Sequence, residues 1–245
     1  MNALVLIKQV PNTDSPFRIN SAGTWVDESN LTYGLNDYDR YALEELLRLK
    51  DAGAITELVA LTVGPERASS ALRTCLATGA DRAVHIKDDA LAAADPLSVA
   101  RAIVAAVKDG GFSLILAGLQ ADDDNYMQIG PFDGATVRVE RELENNRLQI
   151  VDLRLPAVIT VQTGINEPRY ASLKGIMAAK KKEIRTLTLA DLKVDAGAIA
   201  ASSARFRTVR LAPPPKAKGA EILSGPADQV AKELVKRIRE KTGVI

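Results

Sequence analysis

The sequence predicts an α/β protein built on a parallel sheet, followed by an extended arm and a final helix. Three observations carry that expectation. Short, continuously apolar runs recur along the first half of the chain; each is followed by a segment with apolar residues at helical spacing; and Gly, Pro, Asn or Asp punctuates the junctions. Strands that are apolar on both faces are buried on both faces, and in alternation with helices they imply a parallel sheet with right-handed crossovers. In such a sheet a ligand sits beyond the carboxyl ends of the strands, where the strand order reverses.

Residues 3–7 read as the first buried strand, closed by Pro11, Asn12 and Asp14. Residues 17–26 alternate about Ser21, Ala22 and Gly23 and predict a hairpin. From Asn36 the stripe Tyr41, Leu43, Leu46, Leu47 and Leu49 predicts a helix, capped by Asn36 or Asp37 and ended by Gly53. Residues 58–63 form a second buried strand that runs into Gly64, and Pro65 opens the helix through Ala71, Leu72 and Leu76 to Gly79. A short strand over 83–86, a helix from Asp95 and Pro96 to Lys108, and a strand over 113–117 complete the alternating part. The segments to search for a ligand are therefore 8–10, 63–64 and 118–130.

After Gly134 the pattern becomes β-like. Val137 and Val139, then Leu148, Ile150, Leu153 and Leu155, alternate with polar residues around a turn at Asn145 and Asn146. The β-branched run Val158, Ile159, Thr160 and Val161 leads past Gly164 into Asn166, Glu167, Pro168, Arg169 and Tyr170. Pro168 fixes its own φ and pushes Glu167 out of the helical region, so this turn is stiff and extended. A rigid polar and aromatic loop on a strand end is suited to meet a ligand or another protein. A segment of helix formers ending in Lys180, Lys181 and Lys182 follows. Residues 212–219 (APPPKAKG) read as an extended linker, and 226–241 return to helical period with Val230, Leu234, Val235 and Ile238 apolar. That amphipathic helix needs a surface to cover, its own sheet or a partner's. We divide the chain into an α/β domain, 1–193, and a C-terminal arm and helix, 194–245.

Composition narrows the function classes. The 245 residues are 47% hydrophobic, enough for a substantial core. A net charge of +1, from 32 basic and 31 acidic residues, provides no global field for nucleic acid or a membrane surface. The lysine run stands alone, and 4% aromatic residues leave few stacking platforms for a nucleic-acid site. The single cysteine, Cys75, excludes an internal disulfide and lies at helical spacing among core residues. The first residues, MNALVLIKQVPN, have the pattern of neither a secretory signal nor a membrane span, so a bacterial cytoplasmic location is expected, without membrane insertion.

No catalytic constellation emerges. The only histidine, His85, lies in the strand AVHI; there is no nucleophile elbow, no H-E-x-x-H, no P-loop, and no G-x-G-x-x-G after the first strand. The strand end at Gly118 carries GLQADDDNYMQIGP instead. Asp122, Asp123 and Asp124 repel phosphate; they could hold ribose hydroxyls, receive a cation, or solvate a loop.

Two segments together resemble the β subunit of the electron transfer flavoprotein family. The first is the run Asn166, Pro168, Arg169, Tyr170, Ala171, Leu173, Ile176, Met177 and Lys180 to Lys182, which matches NxPRY and its following helix. The second is Gln120, Ala121, Asp123, Asp124, Gln128 and Gly130, which matches QA-x-DD-x-x-x-Q-x-G. The resemblance implies a Rossmann-like domain of the adenine nucleotide alpha hydrolase-like type and an electron carrier rather than a turnover enzyme. It implies redox FAD shared with an α subunit, and a structural AMP in this chain. The implied nucleotide residues are Leu6, Asn36, Asp37, Tyr38, Asp39, Val63, Gln120, Ala121, Asp122, Asp123, Asp124, Asn125, Tyr126, Met127, Gln128, Ile129, Gly130 and Pro131. Backbone N–H groups of that last segment would face the phosphate.

By the same resemblance, a recognition loop made of Val161, Gln162, Thr163, Gly164, Ile165, Asn166, Glu167, Pro168, Arg169, Tyr170, Ala171, Ser172, Leu173, Lys174 and Gly175 would dock acyl-CoA or amine dehydrogenases, with aliphatic Ile165 at its tip. The place implied is electron transport, as in fatty acid oxidation, toward a quinone oxidoreductase, with the C-terminal arm reaching over the α subunit. Electron bifurcation with a second FAD in place of AMP is the alternative within the family, and a stand-alone adenine-nucleotide-binding domain is the alternative outside it. The chain departs from the family pattern after Gly130, where about two dozen residues, a helix and a strand with their loops, are missing. Pro131 reads as the first residue of a helix that would present its N-terminus to the phosphate.

Overall fold

The computed structural model describes residues 1–91, 94–119, 127–132, 135–143, 145, 147–195, 209–213, 215 and 219–243, with backbone alone at 127–132 and 142. In chain order the elements are β1 (Asn2–Leu6), β2 (Gln9–Pro11), β3 (Tyr33–Leu35), α1 (Asp37–Asp51), β4 (Glu57–Val63), α2 (Ser69–Thr78), β5 (Arg82–Ile86), α3 (Pro96–Val107) and β6 (Phe112–Gly118). They continue as β7 (Met127–Phe132), β8 (Thr136–Leu143), β9 (Arg147–Arg154), β10 (Ala157–Val161), α4 (Leu173–Ala179), β11 (Ile184–Leu187) and α5 (Ala227–Thr242). Six strands form the central sheet in the order β10-β6-β1-β4-β5-β11. Every pair in it is parallel. The α/β, Rossmann-like class expected from the alternation of apolar runs is the class observed.

Successive residues of each strand point to opposite faces of the sheet. On one face Ala3, Val5, Leu58, Ala60, Leu114, Leu116 and Ile159 pack with Ala42 and Leu46 of α1 and Leu72 and Leu76 of α2. Ala179 of α4 and Val137 and Val139 of β8 join the same core. On the other face Leu4, Val59, Leu61, Val84 and Ile86 gather with Ala102 of α3, Leu187 and Leu189. Burial on both faces explains why these strands lack polar alternation.

The helix ends follow local chemistry. The Asp95 carboxylate accepts the Ser98 N–H at 2.7 Å, and Pro96 opens α3 where no N–H partner is needed. Gly79 ends α2 at φ 148°, with Leu47 of α1 so close that a Cβ would lie 2.6 Å from its methyl. Asn36 takes the N-cap position of α1, its carbonyl accepting the Arg40 N–H at 3.3 Å while its side chain makes no capping bond.

Three expectations change. Residues 17–26 form a minimal hairpin rather than an extended ladder: one bridge joins Ile19 and Val26, flanked by bonds from the Asn20 N–H to the Trp25 carbonyl and from the Asp27 N–H to the Arg18 carbonyl, each at 2.8 Å, with Phe17 and Trp25 more than half exposed. The chain past β1 instead forms β2, which pairs with β3 and includes Pro11. Pro131 lies in β7, not at the start of a helix. β7 pairs antiparallel with β8, and the ladder is irregular between Ile129 and Phe132, where proline can donate no N–H. The β-patterned stretch continues as β8 and β9, joined through Asn145 at φ 61°. The Arg138 guanidinium and Asp152 carboxylate pair across them at 2.7 and 2.9 Å.

α5 buries no residue; Leu234 and Val235 are exposed on it, while Arg237 pairs with Glu221 and Glu233. No described helix is long and apolar enough to cross a membrane.

Candidate functional site

The crossovers leave β1 toward β4 on one side and reach β6 on the other, so the strand order reverses between β1 and β6. The ladder joins Leu6 to Ala117, and beyond it the two chains diverge. Asp39, in the first turn of α1, spans the gap. Its Oδ2 accepts the Lys8 N–H at 2.7 Å, and its Oδ1 accepts the Gly118 N–H at 2.9 Å. Asp39 is 4% exposed, and burial pushes its carboxyl up to about 6 against the opposing pull of those N–H groups and of Asn36. Gly118 permits the approach, because a Cβ there would lie 2.4 Å from Asp39 Oδ1 and 2.6 Å from Tyr38 Cβ.

Two more polar ties continue along the rim. The Thr62 hydroxyl donates to the Ile7 carbonyl at 2.8 Å. His85 Nε2 lies 2.9 Å from the Gly64 carbonyl, and a carbonyl only accepts, so Nε2 carries the hydrogen. His85 is therefore part of the frame that holds the strand end at Gly64. Leu6 and Val63 are half-buried against the second core, and Asn36 and Tyr38 are half-buried at the same rim, while Asp37 is exposed. Residues 120–126, seven of the expected nucleotide residues, lie outside the described residues, and Met127, Gln128, Ile129, Gly130 and Pro131 are placed as strand backbone. Among the described residues no group of three His, Cys, Asp or Glu side chains converges to hold a metal.

The segment from Val161 to Gly175 leaves the sheet beside β6, where the Leu119 N–H donates to the Val161 carbonyl at 2.8 Å. It does not stand free of the domain. The Asn166 amide donates to the Tyr41 carbonyl and to Glu45 Oε2, each at 3.0 Å. The Arg169 guanidinium grips Glu44 at 2.8 and 3.0 Å and reaches Asp51 at 2.9 Å. Glu44 and Glu45 are both buried acids on α1. Burial raises the Glu45 carboxyl, opposed chiefly by the Asn166 hydrogen bond, and the Glu44 hydrogen bond raises Arg169 further above its ordinary value. Thus the polar residues of NxPRY are anchors.

Beside the exposed Glu167, Ser172 and Lys174, the anchored loop and the helix after it display large, mostly apolar side chains. Tyr170 is 91% exposed, Leu173 76% and Met177 65%. Ile165 is half-buried against the first core. Val161 and Gln162 are buried, Thr163 and Pro168 half-buried, and Gly164 and Glu167 exposed. Ser172 caps α4 by accepting the Gly175 N–H at 3.1 Å. α4 lies tight on α2: a Cβ on Gly175 would fall 2.2 Å from the Ala77 carbonyl oxygen. A cleft of about 520 Å³ lies between them, lined by Arg40, Arg73, Thr78, Tyr170, Ile176 and Lys180 among others.

The lysine run divides in function. Lys180 and Lys181 are exposed, whereas the Lys182 ammonium donates to the Leu76 and Ala80 carbonyls at 3.0 and 2.6 Å, closing the end of α2. Burial lowers its pKa. Sequence reasoning missed Glu44, Glu45 and Thr62 as parts of these sites, and it named Lys182 in the signature run without its inward role. The available signal was the acidic pair inside the leucine stripe LEELL, since buried acids require cationic or amide partners.

Comparison with known proteins agrees with the geometry. The model of the electron transfer flavoprotein domain matches residues 23–135 and 131–192. "Electron transfer flavoprotein subunit beta" of Methylophilus methylotrophus is 35% identical over 265 residues, covering 99% of this chain and all of the relative. The protein of the same name from Bacillus subtilis is 35% identical over 266 residues, with both chains covered completely. That of Sus scrofa is 32% identical over 260 residues, covering 98% of this chain and 97% of the relative. The aligned spans exceed the 245 residues of this chain, in keeping with a shortened segment. Full-length likeness, the parallel sheet and the anchored NxPRY segment thus coincide, and the chain belongs to the electron transfer flavoprotein family, among relatives of its β subunits.

Proposed function

We propose that this chain is the β subunit of a heterodimeric electron transfer flavoprotein, an electron carrier of the bacterial cytoplasm. With an α subunit it accepts electrons from primary dehydrogenases, of the acyl-CoA or amine class, and passes them to a downstream acceptor such as a quinone oxidoreductase. The redox chemistry is that of FAD, held mainly by the α subunit and closed on one side by this chain. The β subunit adds a structural AMP at the strand-end rim and a docking surface over Val161 to Gly175. The arm over 194–245 reaches the α subunit, which gives the apolar side of α5 a surface to cover.

The observation that carries this proposal is the anchoring of the NxPRY segment on α1, which leaves Tyr170, Leu173 and Met177 facing outward on a fixed base. A docking loop held in one conformation loses little entropy when a donor binds. Its role is orientation, so that the flavin meets the donor at a reproducible distance.

The test is to co-express this chain with an electron transfer flavoprotein α subunit, purify the complex, release the nucleotides with acid, and quantify AMP and FAD. One FAD and one AMP per dimer are expected, with electron acceptance from a dehydrogenase. Two FAD would replace the AMP assignment by electron bifurcation. A chain that purifies alone with nucleotide bound would overturn the carrier function.

A further inference from the structure

We propose that the cleft where α1, α2 and α4 meet is the seat of an acidic segment of the donor dehydrogenase, a carboxylate side chain with apolar neighbours. This rests on the carrier function above and adds the chemistry of the partner, with contact residues on α1 and α2 that lie outside the loop over 161–175.

Four cations line the cleft, Arg40 of α1, Arg73 of α2, Arg169 of the loop and Lys180 at the end of α4, and none of the described residues lining it is an acid. The chain as a whole has a net charge of only +1, so this gathering is local. The four cations are not equal. Arg169 is spent on Glu44 and Asp51. Arg73 donates from Nη1 to the Ala179 and Lys182 carbonyls at 2.6 and 2.9 Å, which fixes its guanidinium but leaves its charge without a counterion. Among the described residues neither Arg73 nor Lys180 takes part in an ion pair. The Arg40 Nε is screened from solvent and has no hydrogen-bond acceptor, and its ion pair with the exposed Asp37 is stretched to 3.4 Å. Cationic groups withdrawn from water without an acceptor carry a cost that a bound carboxylate offsets, and a guanidinium suits both carboxylate oxygens.

The rest of the wall is apolar, formed by Ala77, Ala171, Ile176 and the Tyr170 ring. A volume of about 520 Å³ exceeds what a lone carboxylate fills, so the occupant brings apolar atoms with its charge. Tyr170 belongs both to this wall and to the outward face of the loop, which makes the cleft continuous with the proposed docking surface. The donor is therefore the partner whose acid is placed here, by charge complementarity and by position.

The experiment uses the αβ complex as wild type, Arg40→Gln, Lys180→Gln and the double variant; Arg73 is left in place because it ties α4 to α2. Electron acceptance from an acyl-CoA dehydrogenase and from an amine dehydrogenase is measured against donor concentration at low and high salt, beside FAD content, dimer assembly and melting temperature. At low salt each single variant should raise the donor KM roughly threefold and the double variant roughly tenfold, with the loss falling on KM rather than on the maximal rate. Added salt should raise the wild-type KM and move that of the double variant much less, because the charges it screens are gone. A wild-type KM indifferent to salt, or a double variant with the wild-type KM, overturns the proposal and leaves the carrier function standing. Loss of FAD or of the dimer in Lys180→Gln, at an exposed position, would assign the cleft to the α subunit and overturn it as well. A wild-type complex that neither dehydrogenase reduces removes the carrier function itself, and the proposal with it.

Discussion

The Arg169 guanidinium and the Glu44 carboxylate meet as a fork, Nε to Oε2 at 2.8 Å and Nη2 to Oε1 at 3.0 Å, and the Arg169 N–H adds a bond to Oε2 at 3.1 Å. The two residues are not equivalent, because Glu44 is buried while Arg169 is partly exposed and also holds Asp51.

That inequality sets the first prediction. Arg169→Ala strands a buried carboxylate whose other cation, Arg48, stands at 3.4 Å, and should cost about 3 kcal/mol. Glu44→Ala leaves Arg169 its bond to Asp51 and some solvent, and should cost about half as much. The double variant should recover part of the Arg169→Ala loss. Chemical denaturation of the three variants measures the order; equal single losses would mean that the buried charge is not what the fork compensates.

Ile165 and Tyr170 separate docking from stability. Ile165→Ala should slow electron acceptance from the donor without loosening the αβ dimer, and its packing on the core adds a stability loss of about 1–2 kcal/mol. Tyr170→Ala, at a site 91% exposed, should leave stability within about 0.5 kcal/mol of wild type and change only the donor rate. Steady-state rates against donor concentration, taken beside melting curves, distinguish the two. A donor rate untouched by both changes would remove this face from the docking surface.

Gly175 is where α4 rests on α2. In Gly175→Ala the new methyl would meet the Ala77 carbonyl oxygen at 2.2 Å, and backbone cannot move aside as a flexible side chain can. A loss of about 1–3 kcal/mol is expected, with faster hydrogen exchange in α4 and weaker donor docking. Exchange unchanged along α4 would contradict this close approach.

Asp39 also predicts a pH dependence. Its carboxyl is raised from 3.8 to about 6, so the folded chain holds the proton more tightly than the unfolded chain. The contribution of Asp39 to stability therefore falls as pH rises from 3.8 to about 6 and is level above that. The full change is roughly 3 kcal/mol. Asp39→Asn does not titrate, so its melting temperature relative to wild type should climb across the same window. Parallel melting curves for the two proteins would show that burial does not disfavour the charge.

Much of the fold was legible because core burial leaves a local trace. Runs such as LVL in β1 and LVAL in β4 are apolar throughout, and Asp95 with Pro96 marks the start of α3 residue by residue. The hairpin expected over 17–26 is present but shrinks to one bridge where little packs on it, and the helix expected at Pro131 was a local pattern without the packing to support it. In place of the helix, β7 pairs with β8, a contact between segments that periodicity cannot show.

By itself the sequence determined the alternation of strands and helices and the NxPRY wording that identifies the family. These depend on residues near one another in the chain. Only the tertiary structure decided what the marked residues do. Asn166 and Arg169 face inward because Glu45 and Glu44, 121 and 125 residues away in sequence, are buried acids that need them. Asp39 is a tie rather than an open ligand because Lys8 and Gly118 arrive from two strands whose adjacency is set by the sheet order. A side chain's type fixes which bonds it can make, but its partner is chosen by the packing that brings distant backbone to it.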